Sequence, residues 1–97
     1  MNGKLCNENM DKLMEAVLSL KTKEECYAFF EDLCTVSELK SMQQRYHVAI
    51  MLDNGAQYAD IVELTGASTA TISRVNRALS YGADGYKMVL ERMKENK

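Results

Sequence analysis

Asp60-Ile61-Val62-Glu63-Leu64-Thr65-Gly66-Ala67-Ser68-Thr69-Ala70-Thr71-Ile72-Ser73-Arg74 reads as two short helices meeting at a tight turn. A helix-turn-helix needs apolar residues on its first helix, a small residue where the helices cross and a glycine at the turn. Ile61, Val62 and Leu64 meet the first need, Ala70 the second and Gly66 the third. Ser68 is placed to cap the second helix, whose buried side is expected at Ile72, Val75 and Leu79, spaced i, i+3, i+7. The motif covers about residues 57–79. Thr69, Thr71, Ser73, Arg74, Asn76 and Arg77 are left facing outward, all hydrogen-bonding or cationic groups. With Ser68 and Ala70 at the helix start they form the candidate DNA-binding set. The first residues of a recognition helix read base edges in the major groove of double-stranded DNA, while arginines and hydroxyls hold phosphates. A bland reading competes: turn-linked helix pairs also occur in proteins that bind no DNA, where such a face is merely solvated.

On the N-terminal side of this motif the chain reads as helices throughout. Met10, Leu13, Met14, Val17 and Leu18 mark one face of a helix over about 8–20. Thr22-Lys23-Glu24-Glu25 has the form of a capping box, so a second helix starts there and is expected to bury Cys26, Phe29, Phe30 and Leu33. The same signature at Thr35-Val36-Ser37-Glu38 starts a third helix over 36–53, with Leu39, Met42, Tyr46, Ala49, Ile50 and Leu52 on its apolar face and Asn54-Gly55 as its stop. The motif helices follow at 57–65 and 69–79. Past the turn-rich Tyr81-Gly82-Ala83-Asp84-Gly85, the stripe Tyr86, Val89, Leu90, Met93 marks a sixth. No proline interrupts the chain. The fold class expected is all-α, with six helices and no strand.

With 97 residues the chain has room for one domain, spanning 1–97. Six apolar faces are hard to cover within so small a chain, and a homodimer is the economical solution; a self-contained monomeric bundle is the alternative. The formal charge of −2 excludes a uniformly basic coat, yet it is unevenly spread. Residues 1–38 hold four lysines against eight carboxylates, whereas residues 65–82 hold Arg74 and Arg77 and no acid. No apolar run approaches the length of a membrane span and no signal-peptide core follows Met1, so a cytoplasmic protein with no membrane partner is expected. Cys6, Cys26 and Cys34 with the single His47 make no zinc pattern; no metal or cofactor is expected, and buried thiols are the simple reading. His47 has no nucleophile at an interpretable spacing and no phosphate-binding glycine loop occurs, so no enzyme is expected.

From about Leu33 to Leu79 the chain resembles the Trp repressor superfamily, and most closely its Trp-repressor-related branch labelled YerC/YecD. The resemblance rests on Leu33-Cys34-Thr35-Val36-Ser37-Glu38-Leu39, Met42-Gln43-Gln44-Arg45, Asn54-Gly55 and the run from Thr65 to Gly82. It implies an intertwined homodimer of six-helix chains presenting two helix-turn-helix units, with a role in transcriptional control. It also implies a ligand comparison, because Thr35, Arg45 and Arg74 occupy positions that surround the corepressor amino acid in Trp repressor. Val75 stands where the repressor has a glycine, and Ala78 where it has a serine. A branched side chain fills space that an indole needs, and a lost hydroxyl removes a polar contact. The expected function is therefore sequence-specific DNA binding as a homodimer without tryptophan as corepressor, any other small-molecule effector being unspecified. The alternative is a protein-interaction module built on the same scaffold, to which net acidity and only two arginines on the recognition helix lend support.

Overall fold

The computed structural model describes residues 3–96, and contains six helices and no strand among them. The chain divides into two compact units, one ending at Leu39 and one beginning at Lys40.

The first unit is built from local capping. Asn7 Oδ1 accepts from the Met10 amide at 2.8 Å to start α1, Glu8–Leu18, whose first turn carries Glu8 and Asp11 where the helix dipole favours them. The helix stops two residues short of the expected end, because Ser19 turns its amide onto the Glu15 and Ala16 carbonyls and its hydroxyl onto Ala16 O. Thr22 Oγ1 accepts from the Glu25 amide at 3.1 Å and opens α2, Lys23–Leu33. Glu25 Oε1 reaches back to the Lys21 amide at 2.9 Å, one residue beyond the usual box. Neither helix contains a buried residue. Phe29 and Phe30 meet edge to face with centroids 5.7 Å apart, but they and Cys26 are only half-buried and Leu33 is exposed. The expected burial of this face is thus not reached among Cys26, Phe29, Phe30 and Leu33. The cysteines are likewise not buried: Cys6 is exposed, and Cys26 and Cys34 are intermediate.

Thr35 and Glu38 form a complete box at the start of α3, Val36–Asp53. Glu38 Oε1 accepts from the Thr35 amide at 2.8 Å, and Thr35 Oγ1 accepts from the Glu38 amide at 3.1 Å. The far end closes in a Schellman motif: Gly55 at φ +82° donates to Leu52 O and Ala56 donates to Met51 O, both at 3.0 Å.

In the second unit, α4 (Tyr58–Thr65), α5 (Thr69–Tyr81) and α6 (Gly85–Glu95) share one core with the later part of α3. Val48 and Ala49 of α3, Ile61 of α4, Ala67 in the turn, Ile72 and Val75 of α5 and Leu90 of α6 are its buried members. Val48, fully buried, was absent from the expected apolar face of the third helix; Met42, which was on it, is largely exposed. Lys94 Nζ meets Asp53 Oδ2 at 2.7 Å, tying α6 to the end of α3. The recognition helix runs to Tyr81, two residues beyond the expected end, and breaks where only glycine fits. A Cβ on Gly82 would overlap the Ala78 carbonyl.

Candidate nucleic-acid interface

The helix-turn-helix is organised by Thr65, Gly66 and Ala67. Gly66 adopts φ +72° and ψ 5°, the left-handed conformation that ends α4, and its amide donates to Val62 O at 2.9 Å. Thr65 Oγ1 donates to Ile61 O at 2.7 Å and accepts from the Ala67 amide at 3.1 Å, locking the corner from inside. From the side, Gln44 Nε2 of α3 donates to Thr65 O at 3.2 Å. Ser68 then caps α5, its Oγ accepting from the Thr71 amide at 3.1 Å and donating to Thr71 Oγ1.

These contacts fix which side of α5 faces inward. Ile72 and Val75 are fully buried and Ala78 and Leu79 half-buried. Ser68, Thr69, Ala70, Ser73, Arg74, Asn76 and Arg77 are exposed, while Thr71 is half-buried and already engaged with Ser68. Arg74 and Arg77 make no ion pair among the described residues, and α5 carries no acidic side chain. The result is a cationic, hydroxyl-rich surface on one rigid element.

Two sequence assignments are corrected here. The small residue at the helix crossing is Ala67, 1% exposed, and not Ala70, which lies on the open side of α5. A residue squeezed between a left-handed glycine and an N-cap is a usable signal for the closest approach of the backbones. Of Ile61, Val62 and Leu64, only Ile61 reaches the core; Leu64 is 69% exposed. Gln44 carried no signal, since 21 residues separate it from Thr65.

The three ligand-position residues are all exposed, and Thr35 spends its hydroxyl on the α3 cap. Val75 is 2% exposed within the core that also holds Val48 and Ala49. Among the described residues no three or more His, Cys, Asp or Glu gather as a metal site, and no helix is long and apolar enough to cross a membrane.

Comparison with known proteins agrees with this geometry. YerC of Bacillus subtilis (strain 168), itself uncharacterized, is 55% identical over 92 residues, covering 95% of this chain and 88% of its own length. A TrpR-like protein from Eubacterium eligens ATCC 27750 superimposes with a TM-score of 0.93 at 55% identity, over 96% of each chain. A solved Staphylococcus aureus structure gives a TM-score of 0.92 at 52% identity, over 97% of this chain and 95% of that one. The family model described as Trp repressor protein matches residues 8–94, and the chain belongs to that family, whose members are generally DNA-binding helix-turn-helix regulators.

Proposed function

We propose that the protein is a sequence-specific DNA-binding transcriptional regulator, a single domain over residues 1–97 that acts as an intertwined homodimer in the cytoplasm and does not use tryptophan as corepressor. The observation that carries this reading is the exposed face of α5, where Arg74 and Arg77 stand unpaired beside Thr69, Ser73 and Asn76, with the helix cap at Ser68. Capped helix N-termini bring partial positive charge and free amides to a phosphate, and residues in the first turns reach base edges in the major groove. Thr69, Ala70 and Ser73 take the base-edge positions; Arg74, Arg77 and the Asn76 side chain take the backbone, and Ser68 holds the helix start that presents them. Thr71 contributes by fixing the cap.

A dimer is supported by α1 and α2, which contain no fully buried residue yet present Met14, Leu18 and Tyr27 to solvent. Two copies of α5 then meet two successive major grooves. The test is the salt dependence of DNA binding. Counterion release makes affinity for duplex DNA fall steeply with salt. No DNA binding at low salt, together with a protein partner whose affinity is indifferent to salt, would replace this reading with the protein-interaction module.

A further inference from the structure

Lys40, Gln43, Gln44 and His47 fall at i, i+3, i+4 and i+7 of α3 and so share one face. With Leu64 and Thr65 at the end of α4 they line an open groove of about 390 Å³. None of its lining residues is a carboxylate. Among the described residues the side chains of Lys40, Gln43 and His47 make no hydrogen bond or ion pair. Gln44 gives one Nε2 hydrogen to Thr65 O and has a second to offer. An ammonium, an imidazole and two amides with no acid among them suit carboxylate or phosphate oxygens, and exposed Leu64 supplies an apolar wall.

We propose that this groove binds a small organic anion, a carboxylate or phosphate ester bearing a short apolar group. Lys40, Gln43 and His47 hold its charged end and Leu64 covers its apolar end. Thr35, Arg45 and Arg74 are not among the lining residues, so the site is separate from the positions compared with the corepressor pocket. Its floor is the Gln44–Thr65 hydrogen bond, and Thr65 in turn holds Ile61 O and the Ala67 amide at the corner that aims α5. Occupancy thus acts on the turn. This consequence, unlike the binding itself, rests on the DNA-binding reading.

The test is an amide chemical-shift titration of the isotopically labelled full chain, without DNA, using phenyl phosphate, benzoate, inorganic phosphate and neutral benzyl alcohol. Phenyl phosphate and benzoate should give saturable shifts in the millimolar range at residues 40–47 and 64–67, inorganic phosphate weaker ones and benzyl alcohol none. Lys40→Gln, at an exposed position, should weaken phenyl phosphate about two- to fivefold, the effect of losing one exposed ion pair. No saturable shift, equal shifts with benzyl alcohol, or unchanged affinity in the variant overturns the site. In a second arm, Lys40→Gln should leave the salt slope of DNA binding unchanged when no small anion is present. A slope smaller by about one unit would assign the groove to a DNA phosphate and overturn the proposal. The first arm uses no DNA, so failure of the DNA-binding reading would leave its outcome distinct.

Discussion

Arg77 and Thr69 lie eight residues apart on α5, about two turns of helix, and the proposed DNA-binding role gives the two ends of that face different work. Arg77, exposed and unpaired, supplies charge alone. Arg77→Ala is expected to weaken binding to all DNA sequences similarly and to lower the salt slope by about one unit. Substitutions at Thr69 should instead change which sequence is preferred. Binding isotherms at several salt concentrations separate the two, and equal slopes for wild type and Arg77→Ala would remove the phosphate contact. Ser68 acts one step earlier, on the helix that carries both. Its Oγ satisfies the Thr71 amide, so Ser68→Ala should cost about 1 kcal/mol in denaturant unfolding, the ordinary value of an N-cap. These residues were legible in the sequence because a cap, a turn glycine and an outward face are local patterns. Ala67 and Gln44 were not, because close approach at a corner and a hydrogen bond across 21 residues depend on how helices cross.

The starts of α2, α3 and α5 were the most readable features, since their caps are closed by residues three apart, and α3 shows what such a cap does to its carboxylate. The Thr35 amide, and after it the Thr35 hydroxyl, hold the Glu38 carboxyl below the usual glutamate range, against a weaker opposing effect of desolvation. A carboxyl depressed in the folded state stabilises fully above its unfolded value, and that contribution is lost as pH falls through the folded value. Carbon-detected titration of Glu38 should therefore give a midpoint below the ordinary value of about 4.3, and Thr35→Ala should raise it part of the way by removing the hydroxyl. An unshifted midpoint in the wild type would mean that the cap is not formed. Helix faces were harder to read than helix starts. Apolar residues occupy most of the way round α3, from Leu39 and Met42 to Val48, Ala49 and Ile50, so periodicity alone does not say which arc meets the core. The structure selects Val48 and Ala49 and leaves Met42 outside.

The whole molecule sets the remaining two expectations. Met14, Leu18, Tyr27, Leu33 and Met93 are exposed in the single chain, and an interface between two copies would cover such apolar side chains. Sedimentation at micromolar concentration should give about twice 11.0 kDa, and a stable, well-folded monomer would defeat the dimer. In that dimer the separation of the recognition helices decides whether DNA binds, because successive major grooves lie about 34–36 Å apart. A corepressor can act only by favouring the correctly spaced state over others. Here Val75 is already packed in the core, and Ala78 has no hydroxyl to offer. On the proposed reading tryptophan has little differential affinity to contribute, because Ile72 and Val75 of α5 are already packed in the core. Calorimetric titration of the dimer with L-tryptophan should show no saturable heat at millimolar ligand, and affinity for an operator selected from random DNA should be the same with and without it. Tight tryptophan binding, or a large gain in operator affinity on adding it, would restore a corepressor role to Thr35, Arg45 and Arg74. The double substitution Val75→Gly with Ala78→Ser reopens the space and returns the hydroxyl, so it is expected to gain tryptophan binding that the wild type lacks. Because it also removes the whole buried isopropyl group of Val75, it should unfold at lower denaturant than the wild type, by the roughly 2–4 kcal/mol that a large-to-small change and an added helical glycine cost.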